Sequence, residues 1–163
     1  GSAMELDEET IAFIKEVVKE KKIHTLWFEA HYMYRKKLAS FAEQFAPAKV
    51  KFRCGVETFD TALREAWKKG IPSSVSVQDI AQHFQGICLL CCTQGETKEH
   101  ILKDIELAKA HFEYFSVNVF CDNHTPIKQD KELASWFAKE IYPMIKDDPR
   151  IEVLMENTDL GVG

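Results

Sequence analysis

Short apolar runs with strand character alternate with longer segments of helical periodicity, and this alternation constrains the fold more than any other feature. Strands are predicted at residues 24–30, 50–56, 87–92, 115–121 and 151–155, and helices at 6–22, 35–45, 60–69, 76–84, 97–112 and 131–145. Alternation of this kind is typical of parallel βαβ units. We therefore expect an α/β fold, an incomplete (β/α) barrel of about five mostly parallel strands with helices on its outer face.

The second predicted strand has a polar face, which a parallel strand covered by helices on both sides should not have. Its even-numbered residues 50–56 are apolar, and the odd-numbered residues are Lys51, Arg53, Gly55 and Glu57. The fourth strand repeats the pattern with Ser116 and Asn118. Two interpretations remain open: the polar faces line the lumen of a barrel, or both strands lie at wet edges of the sheet.

Composition excludes several classes of protein. The 163 residues have a net charge of −5, whereas non-specific nucleic-acid binding needs a basic surface. No run approaches the ~20 apolar residues of a membrane span, and the N-terminus lacks the apolar region of a signal peptide. An odd number of cysteines, five, argues against a disulfide framework, so we expect a cytoplasmic location. Residues 1–3 look like a cloning remnant, and residues 4–163 are expected to form one domain.

Function in such folds resides in the loops that follow the carboxyl ends of the strands. Three candidate segments qualify here, at residues 29–35, 55–60 and 92–97. The second begins with Gly55-Val56-Glu57-Thr58 and is followed by Asp60, Leu63 and Lys69-Gly70-Ile71. The third segment contains Gly95-Glu96-Thr97 directly after an apolar strand.

Together these motifs resemble the stretches after the fourth and fifth strands of radical S-adenosylmethionine (radical SAM) enzymes. The resemblance covers about residues 7–128 and implies that the present strands correspond to the third to sixth strands of that barrel. The family's CxxxCxxC loop, whose thiolates hold a 4Fe–4S cluster, has no counterpart in this sequence. The resemblance therefore implies the C-terminal part of a radical SAM core that is inactive alone. SAM and the cluster belong to the full-length protein, and this chain is expected to hold neither stably.

The remaining cysteine pattern does not predict a metal site. Cys88, Cys91 and Cys92 fall within one predicted strand, where alternation points Cys91 and Cys92 to opposite faces. We therefore expect core thiols. Cys92 stands where the family usually has a glycine, which puts close approach of the backbone to the cofactor in doubt.

The resemblance also implies a set of cofactor-binding residues. Glu57 would bind the ribose or the methionyl end of SAM, Gly95 would let the backbone approach the adenosyl group, and Asn118 would lie nearby. Glu96 would bind as well, or would only help to begin the next helix.

Four residues are candidates for a lumen that holds a polar substrate: Glu29, His31, Lys51 and Arg53. His31 is the candidate for proton transfer, because an imidazole titrates near neutral pH. The alternative for His31 is a purely structural hydrogen-bonding role.

Two other functions remain open at this stage. The chain is an α/β enzyme that uses Glu29, His31 and Glu57 as general acid and base, or it is a non-catalytic binding domain. If two strands of the barrel are missing, the first strand has an unpaired edge. We then expect self-association through this edge.

Overall fold

The computed structural model describes residues 2–156, which form a single five-stranded parallel sheet. Its strands are β1 (Thr25–Glu29), β2 (Lys49–Glu57), β3 (Gly86–Cys91), β4 (Tyr114–Val119) and β5 (Ile151–Leu154). Neighbours in the sheet follow the order of the chain, and every pair is parallel. The predicted α/β incomplete barrel is confirmed.

Seven α-helices connect and flank these strands in the described part of the chain. They are α1 (Glu8–Glu20), α2 (Leu38–Glu43), α3 (Thr61–Ala66), α4 (Val77–Ala81), α5 (Lys98–His111), α6 (Lys131–Trp136) and α7 (Tyr142–Ile145). The capping residues were visible in the sequence: Ser76 accepts from the Asp79 N–H, and the Asp79 carboxylate accepts from the Ser76 N–H in return. Among residues 2–156, no helix combines the length and apolar character needed to cross a membrane.

Two predicted helices differ from the structure. The helix expected at 35–45 begins as a tighter 3-10 segment, Tyr32–Lys37, before α2. The helix expected at 131–145 is interrupted by a π-helical segment, Phe137–Ile141, between α6 and α7. Pro143 lies in the first turn of α7 and has no N–H to donate, so the regular hydrogen-bond ladder does not run through it.

The core lies between the outer face of the sheet and the helices. Phe28 of β1 meets both Phe41 and Phe45 from the α2 region with ring centroids 5.2 Å apart, and Phe52 of β2 meets Phe41 at 6.1 Å. Such contacts add to the burial of the rings themselves. Because β2 and β4 each have a neighbour on both sides, the polar faces of these strands do not arise from an edge position. Their polar residues line the concave face, opposite the helices.

Candidate functional site

Register places the concave-face residues in rows that cross the strands. One row contains Gly55, Cys88, Ser116 and Glu152 on β2 to β5. The row closer to the amino ends of the strands contains Glu29, Arg53, Gly86 and Tyr114. The first row therefore has three small side chains in succession, which leaves space in the middle of the lumen.

A charged network crosses the lumen below this space. Arg53 Nε lies 3.7 Å from Glu29 Oε2, and Arg53 Nη1 lies 3.6 Å from Glu152 Oε2. The Tyr114 hydroxyl donates to Glu152 Oε2 at 2.9 Å, and burial together with this carboxylate raises the pKa of Tyr114 to about 12. On a flat sheet β2 and β5 would be ~14 Å apart, so the Arg53–Glu152 approach reflects strong curling of the sheet.

Gly86 makes the close packing of this network possible. A Cβ atom there would lie 2.8 Å from the Tyr114 carbonyl oxygen, 3.0 Å from Trp27 and 3.4 Å from Arg53 Cβ. Lys51, which was predicted to face the substrate, also lies toward the amino ends of the strands, paired with Trp27. Its ammonium is 5.3 Å from the centre of the Trp27 ring and pairs with Glu113.

The two halves of the motif that resembled the family meet at the carboxyl end of β2. Lys69 Nζ lies 2.6 Å from Glu57 Oε1, so the lysine after α3 returns to the glutamate that ends β2. Glu57 has a φ of +68°, a conformation that costs a non-glycine residue ~1–2 kcal/mol. This strain, held by a half-buried ion pair, fixes the direction of the Glu57 side chain.

His31 connects the end of β1 to the same turn. Its Nδ1 accepts from the Met33 N–H at 3.2 Å, and its Nε2 lies 2.7 Å from the Lys69 carbonyl oxygen. Because a carbonyl can only accept, Nε2 donates to Lys69, and Nδ1 is left to accept from Met33. Gly70 packs against the ring and adopts a φ of +67°, which favours glycine, whereas a Cβ there would be in ordinary contact with His31 Cε1 at 3.5 Å. Both nitrogens of His31 are therefore used in structural hydrogen bonds.

A turn after β3 contains the other candidate cofactor residues. Gly95 has a φ of +95°, and open space surrounds the position of a Cβ atom there. Glu96 is buried and folds back, so that its Oε2 accepts from Thr93 N–H at 2.6 Å and from Thr93 Oγ1 at 2.9 Å. Burial raises the pKa of Glu96 to about 7, although the hydrogen bonds from Thr93 act to lower it. As the acceptor of both hydrogen bonds, a side-chain oxygen of Glu96 holds the turn that presents Gly95.

The predicted orientation of Cys91 and Cys92 is wrong. Their Sγ atoms lie 3.7 Å apart in the core, because β3 ends at Cys91 and Cys92 adopts a φ of +66°. Strand alternation no longer applies at Cys92, which takes the backbone conformation of a glycine. No group of three His, Cys, Asp or Glu residues within the described chain is arranged to hold a metal ion.

Two cavities open at the carboxyl ends of the strands. One, of about 420 Å³, is bordered by Glu29, His31, Gly55 and Lys69. The other, of about 270 Å³, is bordered by Glu57 and Asn118. Asn118 Oδ1 is buried and has no hydrogen-bond partner in the described part of the chain. A buried acceptor of this kind needs a donor, which a ligand in the cavity can supply.

A further cavity, of about 600 Å³, lies at the opposite end of the strands. Val18, Ile23, Phe45 and Pro47 form its apolar lining. Of the residues predicted to be functional, Glu29 and His31 border the 420 Å³ cavity, and Glu57 and Asn118 border the 270 Å³ cavity. The others, Lys51, Arg53, Gly95 and Glu96, border neither. Sequence reasoning missed Glu152, Tyr114 and Lys69 as members of the lumen. Tyr114 shares the alternation of Ser116 and Asn118, which could have revealed it.

A parallel half-barrel with a polar lumen and cavities at the carboxyl ends of its strands defines an enzyme-type (β/α) barrel fragment. A solved structure of a queuine lyase from Clostridium spiroforme bound to SAM and queuine matches 100% of this chain and 70% of that chain. The two are 38% identical with a TM-score of 0.92, and the chain belongs to the radical SAM enzymes. No family model and no curated protein matches the sequence.

Proposed function

We propose that this chain is the C-terminal part of a radical SAM lyase core that acts on queuine or a closely related 7-deazapurine. The observation that carries this proposal is the match over the full chain to a lyase whose structure contains SAM and queuine. The chain contributes the far side of the SAM pocket and the lumen that holds the substrate. The sequence contains no CxxxCxxC motif, so we expect no activity from the chain alone.

The smaller cavity fits the nucleoside end of SAM. The unpartnered Asn118 Oδ1 suits an amino or hydroxyl donor, and Glu57 offers carboxylate oxygens to hydroxyl groups at the border of the same cavity. Gly95 leaves space for a ligand to approach the backbone of its turn. Glu96 holds that turn in place by accepting the hydrogen bonds from Thr93.

SAM bound to a reduced 4Fe–4S cluster supplies hydrogen-atom abstraction from a carbon atom of the substrate. The protein residues place the substrate and exclude water. The layer of Arg53, Gly86 and Tyr114 packs tightly toward the amino ends of the strands, so the substrate enters the lumen from the carboxyl ends, where the cavities open.

SAM affinity provides the first test. It is measured on the joined protein, in which this chain is fused to the part of the Clostridium spiroforme lyase outside the match, because the chain alone is not expected to hold SAM stably. We expect Asn118→Ala to weaken SAM binding about tenfold in isothermal titration calorimetry, the loss typical of one hydrogen bond. The matched control is Gln78→Ala, which removes an exposed amide from the outer helix α4. Equal affinities for SAM in the wild type and Asn118→Ala would contradict the proposed pocket.

Activity provides the second test. We expect no queuine cleavage by the chain alone after anaerobic treatment with iron and sulfide. Cleavage is expected once the part of the Clostridium spiroforme lyase outside the match is joined to this chain. Cleavage by the chain alone would instead favour the acid–base alternative with Glu29, His31 and Glu57. The double hydrogen bonding of His31 argues against that alternative.

A further inference from the structure

Glu29 is the least engaged carboxylate in the lumen among the described residues. Its Oε2 lies 3.7 Å from Arg53 Nε and 3.9 Å from Cys88 Sγ, and the first of these exceeds the 2.7–3.2 Å range of an N–H···O hydrogen bond. The Glu29 side chain is 45% exposed and borders the 420 Å³ cavity.

The neighbouring acids all have closer partners. Glu5 accepts from the Tyr34 hydroxyl at 3.1 Å, Glu57 pairs with Lys69 at 2.6 Å, and Glu152 accepts from the Tyr114 hydroxyl at 2.9 Å. A carboxylate beside a cavity with only long contacts is available to accept hydrogen bonds from a ligand.

Arg53 lies beside the Glu29 carboxylate. Its Nε and Nη1 face Glu29 and Glu152 at 3.7 and 3.6 Å, so the guanidinium is held in the lumen without a short hydrogen bond to either. Side by side, a carboxylate and a guanidinium present two hydrogen-bond acceptors, the carboxylate oxygens, followed by a hydrogen-bond donor, a guanidinium N–H. The edge of a guanine-like ring offers the complement, an amino group and a ring N–H followed by a carbonyl.

We propose that Glu29 and Arg53 recognise the guanine-like edge of the substrate, an inference that rests on the function proposed above. The Glu29 carboxylate accepts from the amino group and the ring N–H, and Arg53 donates to the ring carbonyl. Gly55 provides the space, because both the Glu29 and the Glu57 carboxylates lie within 4 Å of where its Cβ would be. The opposite end of the ring then faces the cavity at Asn118.

The alternative role for Glu29 is to bind the ammonium group of the queuine side chain. The guanidinium of Arg53 disfavours this role, because two positive charges would share one carboxylate. An experiment on the joined protein distinguishes the two roles with three probes: 7-deazaguanine, 7-deazahypoxanthine, which lacks the amino group, and 7-aminomethyl-7-deazaguanine, which adds an ammonium.

We expect Glu29→Gln to weaken binding of 7-deazaguanine at least tenfold and binding of 7-deazahypoxanthine much less, as measured by calorimetry in the presence of SAM. Glu106→Gln, an exposed change on α5, is the matched control and should leave both affinities unchanged. Arg53→Lys should weaken both ligands, since both have the ring carbonyl. Circular dichroism and urea midpoints verify that each variant is folded.

Four outcomes would overturn the inference. Equal losses of affinity for the first two probes in Glu29→Gln would indicate a general disturbance of the lumen. A loss confined to the aminomethyl probe would assign Glu29 to the ammonium. If the wild-type joined protein binds SAM but none of the three probes, the proposed substrate class fails together with this inference. If the wild type and Glu29→Gln bind all three equally, only the role of Glu29 fails.

Discussion

Replacing each of two lumen glycines by alanine should have opposite effects on stability. At Gly86 an added Cβ would lie 2.8 Å from the Tyr114 carbonyl oxygen, more than half an ångström inside ordinary van der Waals contact (~3.5 Å). The obstacle is main chain, so the sheet itself would have to move. At Gly55 the nearest atoms are carboxylate oxygens of Glu57 and Glu29, at 3.6 and 3.8 Å, and these are the mobile ends of side chains.

The magnitudes follow from these contacts. Overpacking a buried site costs ~1–3 kcal/mol, whereas replacing a glycine by alanine in a strand gains ~0.5–1 kcal/mol from the unfolded chain. We expect Gly86→Ala to lower the free energy of unfolding by about 2 kcal/mol. Gly55→Ala should leave it unchanged or raise it by ~0.5 kcal/mol. With a denaturant slope of ~2 kcal/mol/M, the Gly86→Ala midpoint in urea falls by ~1 M.

The assay is urea denaturation of both variants, followed by circular dichroism, together with binding of 7-deazaguanine. Gly55→Ala should remain folded but bind the heterocycle at least tenfold more weakly, because its methyl group occupies the space beside Glu29. A Gly86→Ala midpoint equal to that of the wild type would refute the packing argument. A Gly55→Ala variant that is as unstable as Gly86→Ala would refute the assignment of open space to the lumen.

Three further predictions concern pH, His31 and the sheet edge. Burial raises the pKa of Glu96 from 4.5 to about 7, so its stabilising contribution is complete below pH ~4.5 and is lost as the pH rises through ~7. Glu96→Gln should therefore flatten the pH dependence of the urea midpoint over this window, and an unchanged slope would contradict the assignment. His31→Ala should lower the free energy of unfolding by ~1–2 kcal/mol, as expected for lost hydrogen bonds, without changing SAM affinity. If His31 served only in catalysis, its replacement would leave the free energy of unfolding unchanged. Within residues 2–156 β1 pairs only with β2, so we expect concentration-dependent dimers in sedimentation velocity; a single monomer peak at high concentration would count against pairing through this edge.

The order and type of the strands could be predicted because these signals are local. Alternation in β2 showed which residues face away from the helices, and the Ser76 cap marked the start of α4. The error at Cys91 and Cys92 has an equally local cause. The predicted strand extended one residue too far, and in a structure with a period of two a single residue reverses the direction of a side chain.

The composition of the lumen could not be predicted in the same way. Arg53 and Glu152 are almost a hundred residues apart in the sequence and meet only because the sheet curls. Likewise, the Glu57–Lys69 pair depends on how the turn after α3 returns to the sheet. Sequence motifs marked both ends of this pair through the family resemblance, but neither the spacing nor the periodicity indicated the contact.

Features that do not depend on the resemblance also support a ligand at the carboxyl edge of the sheet. Glu57 after β2 and Cys92 after β3 both adopt positive φ without being glycines, and such strain is concentrated at functional sites. On the next strand, Asn118 has a buried oxygen that lacks a partner among the described residues. A fold under selection for stability alone would relieve the first feature with glycine and the second with an apolar residue. They occur on three adjacent strands, and two of them, Glu57 and Asn118, border one cavity, as expected of a site that holds a ligand.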